Sequence, residues 1–466
     1  MSFLKWFIPV TGPVLLLFSA CSTQAGSGEI PKMTGQVSEV PATEMDLAGE
    51  IPAIDFAVDE EESLHVVWRA VLSNNERPSL NSDKILYARG DKAGASWSQP
   101  IAIGDNRLAD DHLRILIGPD GLHIIFGRNL RHFASSDGGR SWRESSPLIP
   151  DRESRADVLD AGFVGDSMVV AYLFHPRPAY EIDRRNPKDD QKLYVVRWSP
   201  GALSAPTLIA SFPSSLNGPP PPRILAERKR LHLMCGINAD RREGAGVGVA
   251  GKLFYLRSDD KGITWSSPVE ASVGAARGAT SSGSGEIQSL GSIELLPAPE
   301  RLYAFYHDTA LFMTHTKDGS DWSPAVELGQ RGRPESLAAF HSDCVSVGAM
   351  DGRGRLAWID TRFRKSDRHW WNPLGGVPWS DETDWKNNDV LTIPVSDVAA
   401  LSAGAVQAKA LSAPSRLTEQ LSYASSARVR ASRMRLFVFW SGRSKVGKRL
   451  DTFSQKPRLF YTTLPL

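Results

Sequence analysis

Residues 258–265 read Ser-Asp-Asp-Lys-Gly-Ile-Thr-Trp, which follows the pattern S-x-D-x-G-x-T-W. Residues 135–142 repeat the pattern with Ser in place of Thr, residues 316–322 repeat it one residue short, and residues 91–97 keep a degenerate form. The Asp carboxylate and the Ser or Thr hydroxyl can bond the backbone of a tight turn. Gly supplies a positive φ, and Trp fills apolar space beside the turn. The pattern therefore predicts a turn between two strands, with structural carboxylates.

This turn belongs to a longer module of short strands that recurs along the chain. The second strand of the module is predicted at Leu64–Trp68, Leu122–Phe126, Met168–Tyr172, Leu231–Cys235, Leu302–Tyr306, Leu356–Asp360 and Leu436–Trp440. The third strand is predicted at Ile85–Arg89, Arg131–Ala134, Leu193–Arg197, Leu253–Arg257, Leu311–His315, Val390–Pro394 and Leu459–Thr463. Modules that recur every ~40 to 75 residues, without long helical periodicity, indicate an all-β repeat fold. We predict a β-propeller of four-stranded blades with seven blades, and six is the alternative count.

The last module has three strands where the others have four. A strand at Gln36–Val40 is predicted to supply the missing outer strand. Such closure removes the exposed strand edges that an open array of blades would leave.

The composition argues against several classes of function. A net charge of +1 gives no field that favours nucleic acid, so no nucleic-acid partner is predicted. His123, His232 and His307 alternate along strands without the spacing of metal ligands, and no metal site is predicted. We find no phosphate-binding glycine loop and no nucleophile elbow, and we expect no cofactor and a monomer. Cys235 and Cys344 are predicted to be buried thiols rather than a disulfide.

The N-terminus has the features of an export signal. Lys5 precedes a mostly apolar segment, and Cys21 directly follows Ser-Ala. This arrangement resembles a bacterial lipoprotein signal, which implies that residues 1–20 are removed and that Cys21 is lipidated; a plain secretory signal with an incidental Cys is the alternative. Residues 21–48 are interpreted as a tether that holds the ring-closing strand. We therefore expect an exported protein that its lipid anchors to a membrane, facing the periplasm or the cell surface.

The repeated turns, set in a regular module, resemble the bacterial neuraminidase repeat, or Asp-box, of sialidase-like propellers. The resemblance covers about residues 50 to 466, and residues 49–466 are predicted to form one propeller domain. The turn residues that it implies are Ser135, Asp137, Gly139, Trp142, Ser258, Asp260, Gly262, Trp265, Asp318 and Trp322.

The same resemblance raises the question of sialidase activity. It implies three arginines that converge on a substrate carboxylate, an acid/base carboxylate, and a Tyr nucleophile paired with a Glu. The family's Phe/Tyr-Arg-Ile-Pro motif is missing, and the nearest dipeptides are Arg114-Ile115 and Arg223-Ile224. The candidate catalytic residues are Arg114, Arg155, Asp157, Arg223, Glu335 and Tyr423. The alternative for each is a solvated or strand-capping side chain.

The long insertions lie almost entirely between second and third strands, at Ala70–Lys84, His175–Gln191, Asn238–Gly251 and Thr361–Asp389. In an antiparallel blade these connections lie on the rim opposite the Ser-x-Asp turns, and long loops on a rigid scaffold usually carry function. The residues predicted to contact a ligand are Asp360, Arg362, Trp370, Trp371, Trp379 and Trp385. Clustered Trp beside charged groups suits a sugar, whose apolar face stacks on an indole. A satellite core that shapes the loop is the alternative.

Three functions follow from these features. The favoured one is a non-catalytic propeller of the cell envelope that binds a glycan or an envelope protein through its insertion-rich rim. The second is an exo-sialidase-type glycoside hydrolase. The third is a scaffold for the assembly of an envelope complex.

Overall fold

The structure is a computed structural model. It describes residues 37–40, 51, 53–72, 82–105, 112–149, 156, 158–174, 190–213, 220–227, 229–238, 251–272, 290, 292–307, 310–330, 340–350, 353–360, 389–394, 415–417, 421–444 and 458–465. All of them lie in the compact unit Pro31–Leu466. Among these residues we find no helix with the length and apolar character needed to cross a bilayer.

The described strands form seven antiparallel sheets, named blades 1 to 7 in chain order. Strand β1 (Ser38–Glu39) belongs to blade 7. Blade 1 consists of β2 (Ile54–Val58), β3 (Leu64–Leu72), β4 (Ser82–Asp91), β5 (Ser96–Trp97) and β6 (Ile101–Asp105). Blade 2 consists of β7 (Leu113–Gly118), β8 (Gly121–Phe126), β9 (Arg131–Ser135) and β10 (Arg143–Glu144). Blade 3 consists of β11 (Val158–Val164), β12 (Ser167–Phe174), β13 (Gln191–Ser199), β14 (Ala202–Leu203) and β15 (Thr207–Phe212). A 3-10 turn at Lys92–Gly94 joins β4 to β5.

Blades 4 to 7 follow the same plan. Blade 4 consists of β16 (Arg223–Glu227), β17 (Arg230–Ile237), β18 (Lys252–Ser258) and β19 (Val269–Glu270), and blade 5 of β20 (Ile293–Ala298), β21 (Arg301–His307), β22 (Ala310–Thr316) and β23 (Val326–Gln330). Blade 6 consists of β24 (Phe340–Met350), β25 (Arg353–Asp360), β26 (Asp389–Pro394) and β27 (Ser415–Arg416). Blade 7 consists of β28 (Leu421–Ala431), β29 (Arg435–Ser444) and β30 (Arg458–Pro465) together with β1.

The first strands of the blades surround a common axis. Each of them contacts the first strand of the next blade, in the order β2, β7, β11, β16, β20, β24, β28 and back to β2. The predicted all-β propeller with seven blades is therefore confirmed, and the six-blade alternative is wrong. A blade buries both faces against its neighbours, so closing the ring leaves no apolar sheet face in water.

The N-terminal strand closes the ring as predicted. Ser38 pairs with Tyr461 and Glu39 with Phe460, and the Val40 amide donates to the Leu459 carbonyl at 2.9 Å. Val40 is fully buried in the core between blades 7 and 1. The pairing strand is shorter than the predicted Gln36–Val40, because only Ser38–Glu39 form ladder pairs.

The predicted Ser-x-Asp turns connect third strands to fourth strands. In blade 4, Ser258 Oγ donates to Asp260 Oδ1 at 2.8 Å and accepts from the Gly262 amide at 2.8 Å, while the Thr264 amide donates to Asp260 Oδ1 at 2.9 Å. The Thr264 and Ser258 hydrogen bonds lower the pKa of Asp260 to about 2. Blade 2 has the equivalent bonds among Ser135, Asp137, Gly139 and Ser141, and blade 5 has them among Thr316, Asp318, Gly319 and Ser320.

Each blade has two ends with different connections. Val58 pairs with Leu64 and Leu64 with Gly90, so the turns between first and second strands lie beside the Ser-x-Asp turns; we name this end the turn rim. At the other end, the insertion rim, second strands connect to third strands, and the longer of these connections are residues 73–81, 175–190, 238–251, 361–388 and 445–457. Cys235 is a buried free thiol in β17, and burial raises its pKa, whereas the side chain of Cys344 lies outside the described residues.

Candidate functional site at the propeller axis

Each first strand contributes a polar residue to the axis of the propeller. These residues form the axial ring, which consists of Asp55, Arg114, Asp160, Arg223, Glu294, Ser346 and Arg428. Arg430, two residues after Arg428 in β28, belongs to it as well. Asp55, Asp160 and Glu294 are buried. Buried carboxylates need partners, and the neighbouring blades supply them.

Acidic and basic side chains alternate around blades 1 to 5. Arg114 lies between two carboxylates, 3.3 Å from Asp55 Oδ2 and 2.5 Å from Asp160 Oδ1. Arg223 likewise lies between Asp160 and Glu294, at 3.5 Å and 2.9 Å. Each of these guanidinium groups therefore forms ion pairs with two carboxylates of the protein.

The ring also joins the backbones of neighbouring first strands. The Ile115 amide donates to Asp55 Oδ2 at 3.0 Å, and the Ile224 amide donates to Asp160 Oδ2 at 2.7 Å. In blade 7 the Val429 amide donates to Ser346 Oγ at 3.0 Å. In each case a side chain of one blade bonds the first strand of the next blade. Neighbouring blades are separate sheets and share no backbone ladder, so these side chains supply hydrogen-bond acceptors for the amides of the next blade.

Strict alternation of charge cannot close in a ring of seven positions. The odd position is filled by the neutral Ser346, which separates Glu294 from the arginines of blade 7. Arg430 Nη2 donates to Asp55 Oδ1 at 2.8 Å, Nη1 donates to the Val429 carbonyl, and its guanidinium lies over the Phe56 ring at 5.7 Å. Four arginines thus surround three carboxylates among the described residues of the axis.

The surroundings shift the pKa values of Arg223 and Arg430 in opposite directions. For Arg223, burial acts to lower the pKa, but Glu294 and Asp160 outweigh it and the pKa is raised. For Arg430, burial together with repulsion from Arg114 and Arg223 lowers the pKa to about 10 despite Asp55. Burial acts to raise the pKa of Asp55, but Arg114, Arg430 and the Ile115 amide hold it below its ordinary value. Arg430 is therefore less fully compensated than Arg223.

A cavity of about 380 Å³ lies between the axial ring and the turn rim. Arg114, Arg223 and Arg430 line it together with apolar residues of the first strands. No group of three His, Cys, Asp or Glu that could hold a metal ion occurs among the described side chains.

The structure brings together only part of the predicted catalytic set. Arg114 and Arg223 both lie at the axis, with Asp160 between them. Tyr423 lies in β28 opposite Arg443, and its side chain is outside the described part of the chain. Arg155, Asp157 and Glu335 also lie outside the described residues.

Most of the predicted ligand contacts fall outside the described residues as well. Asp360 ends β25 at the insertion rim, opposite Asp389, and only its backbone is described. Arg362, Trp370, Trp371, Trp379, Trp385 and the lipidation candidate Cys21 lie outside the described residues. Their roles stay predictions.

Sequence reasoning missed Asp55, Asp160, Glu294, Ser346 and Arg430. The signal for the first three was present, because each is a single acidic residue inside an apolar run: Ile-Asp-Phe, Leu-Asp-Ala and Ile-Glu-Leu. A lone charge in a buried strand implies a buried partner.

Comparison with known proteins identifies no family model and no curated protein that matches the chain. Solved structures with a similar chain path include a protein of unknown function from Dyadobacter fermentans, with a TM-score of 0.49 and 12% identity, covering 92% of this chain and 99% of that one. An α-L-arabinanase from Penicillium chrysogenum has a TM-score of 0.41 at 9% identity, covering 93% and 98%. A Trypanosoma rangeli sialidase has a TM-score of 0.40 at 10% identity, covering 93% of this chain and 60% of that chain. These likenesses concern the chain path and assign no activity.

Proposed function

We propose that this protein is an exported, non-catalytic β-propeller that binds a glycan through its insertion rim. The observation that carries the proposal is the pairing of the axial arginines. Arg114 and Arg223 each lie between two buried carboxylates of the protein itself. They are thus not positioned to act as free receptors for a substrate carboxylate.

The energetics of the ring argue against a sialidase-type clamp. A substrate carboxylate that recruited Arg223 would have to replace Asp160 or Glu294, both of which are buried. Breaking a buried ion pair by withdrawing one partner costs about 3–5 kcal/mol. A single exchanged carboxylate returns no more than it replaces, so recruiting these arginines gains nothing for substrate binding.

The location of binding rests on loop length and side-chain chemistry. Five long connections between second and third strands leave the described strands at the insertion rim, whereas short turns join first to second strands at the turn rim. The connection 361–388 contains Trp370, Trp371, Trp379 and Trp385. Indole faces beside Arg and Asp side chains suit the apolar face and hydroxyl groups of a sugar.

Two further assignments belong to this proposal. The hydrogen-bonded Ser-x-Asp turns of blades 2, 4 and 5 support an Asp-box assignment, in which their carboxylates lock turns and take no part in chemistry. The signal-like segment before Cys21 supports an exported, lipid-anchored protein.

A glycan-array screen of the purified protein tests the binding proposal. We expect binding to at least one glycan, and loss of that binding in the Trp370→Ala/Trp371→Ala double variant. Met434→Ala, an exposed apolar residue in the β28–β29 turn on the turn rim, is the matched control and is expected to keep full binding. Binding that survives in the double variant, or that Met434→Ala abolishes, contradicts the proposed location.

The enzymatic alternative has a separate test. We expect no release of fluorophore from a fluorogenic sialoside. Release that is lost in Arg223→Lys would replace the proposal with an exo-sialidase function. Copurification of a stoichiometric envelope protein by a chain that binds no glycan would instead favour the scaffold alternative.

A further inference from the structure

The cavity below the axial ring has a composition that the proposed function does not use. Its lining comes from the first strands of six blades, with Phe56, Ile115, Leu225, Leu295, Val347 and Ala431 among the apolar residues. The volume of about 380 Å³ lies within the range of about 300–1,000 Å³ that is usual for small-molecule sites.

The cavity opens toward the turn rim. Val58, Ile117 and Ala349 line it and lie within one or two residues of the ends of β2, β7 and β24, where the turns to the second strands begin. Ile117 is 40% exposed although it belongs to a strand of the inner ring. A large apolar side chain at this position borders an opening rather than a sealed core.

The polar part of the lining is cationic. Arg114, Arg223 and Arg430 are the charged residues among the described part of the lining, and the carboxylates that pair with them lie in the ring outside it. The side chain of Arg430 is 22% exposed, compared with 12% for Arg114 and 17% for Arg223. Of the three arginines that line the cavity, Arg430 therefore contacts one carboxylate where the others contact two, and it is also the most exposed.

Among the side chains that the structure describes, the charge count of the ring leaves one positive charge without a carboxylate. Three carboxylates face four arginines, and the position next to blade 7 holds the neutral Ser346. An uncompensated charge in a partly buried site favours the uptake of one counter-charge. Because the other described lining side chains are hydrocarbon, the body of a bound molecule would meet apolar walls.

We propose that this cavity binds a monocarboxylate with an apolar body, with the carboxylate against Arg430 and the hydrocarbon along the first strands toward Ile117. Apart from the arginines, the described lining side chains offer hydroxyl groups no partners, so a sugar acid is expected to bind more weakly than an alkanoate. The site is distinct from the insertion rim and would function whether or not that rim binds glycans.

Calorimetric titration of the full purified chain with n-alkanoates tests the proposal. Octanoate is expected to bind, and from butanoate to octanoate each added methylene tightens Kd about threefold to fourfold, because each buries further apolar surface. Octylamine, which has the same tail and the opposite charge, and N-acetylneuraminate, which has the carboxylate on a hydroxylated body, are expected not to bind. Equal binding of octanoate and octylamine, or preference for N-acetylneuraminate, overturns the proposal.

Two variants assign the site. Arg430→Gln is expected to weaken octanoate binding at least tenfold, whereas Arg435→Gln, an exposed Arg on β29, leaves it unchanged. Because Arg430 also bonds Asp55, Ile117→Glu is the variant that leaves the ring intact. It places a negative charge at the opening and is expected to weaken octanoate binding to a similar extent. Unchanged octanoate affinity in a folded Ile117→Glu protein contradicts the proposed site.

Discussion

The phenol ring of Tyr87 in blade 1 packs edge-on against the indole of Trp142 in blade 2, with ring centroids 5.0 Å apart. The same contact joins Tyr255 to Trp322 at 5.3 Å and Tyr461 to Trp97 at 5.6 Å. In each case the Tyr belongs to a third strand, and the Trp follows the turn of the next blade. The turns therefore fasten neighbouring blades to one another as well as reversing the chain.

The hydroxyl of Tyr87 is expected to contribute to stability through His65. His65 Nδ1 lies 2.8 Å from Tyr87 Oη, and both groups are buried. Tyr87→Phe leaves a buried imidazole nitrogen without this partner, which costs about 1–2 kcal/mol in the free energy of unfolding. Urea denaturation measures the loss. Tyr194→Phe at a half-buried position is the control, and an equal loss in both variants would contradict this role for the hydroxyl.

Alanine substitutions at Gly139 and Gly127 distinguish the cost of a strained backbone from the cost of a steric collision. Both have a positive φ, +86° and +75°, but a Cβ at Gly139 would collide with the Tyr87 phenol, whereas nothing lies within 4 Å at Gly127. Gly127→Ala is expected to cost about 1–2 kcal/mol from the left-handed backbone alone. Gly139→Ala is expected to cost at least about 1 kcal/mol more, because the phenol must move. Similar destabilisation of both variants in urea would show that the Tyr87 contact is loose.

Asp160 is expected to be the most sensitive carboxylate of the axial ring. It contacts Arg114 and Arg223 and also accepts the Ile224 amide. Asp160→Asn leaves two buried guanidinium groups undercompensated, at a cost of about 3–5 kcal/mol. Asp259→Asn removes exposed pairs with Arg230 and Arg257 and is expected to change stability by less than about 1 kcal/mol. Thermal unfolding of both variants tests the difference, and comparable losses would mean that the ring contributes little.

Stability is expected to fall as the pH drops from about 6.5 to about 4, in part because of His132. Burial, with a smaller contribution from His123, lowers the pKa of His132 to about 4. The unfolded chain therefore binds a proton in this window that the folded chain does not, and stability increases with pH up to the unfolded pKa near 6.5. This group alone accounts for up to about 3 kcal/mol of that change.

Urea midpoints at pH 7 and pH 4.5 measure this effect. His132→Asn is expected to lose less stability over this interval than the unchanged protein, since it lacks the titrating imidazole. An unchanged pH dependence in the variant would show that His132 is protonated in the folded state, contrary to its burial beside Trp198.

The propeller could be predicted from the sequence because its signals are local. The Leu-His-Val-Val-Trp type of strand and the Ser-x-Asp turn each occupy fewer than about ten residues, and turn chemistry depends on adjacent side chains. The buried Trp68, Trp358 and Trp440 all lie in second strands of this type, β3, β25 and β29. Counting these strands favoured seven blades and left six as the alternative count.

The axial ring could be predicted only in part, because its partners come from different blades. Arg114 and Arg223 were identifiable as charged residues at the start of first strands. The pairing of Arg114 with Asp55 and Asp160 depends on three strands that meet only when the ring closes. Neither spacing nor periodicity carries that information, and for this reason the arginines suggested a free clamp rather than a compensated ring.

The pairing of β1 with β30 has a consequence for the order of folding. Glu39 and Arg458 are in contact although 419 positions separate them in sequence, whereas blades 1 to 6 each form from one continuous stretch of chain. Contacts between distant positions form late, because closing a long loop must precede any stabilisation from the contact. Blade 7 is therefore expected to be the last to assemble. Until then, the open edge of β30 is available to the N-terminal strand of another copy. The same two-residue pairing that closes the ring within one chain is therefore also a route to strand exchange between chains at high concentration.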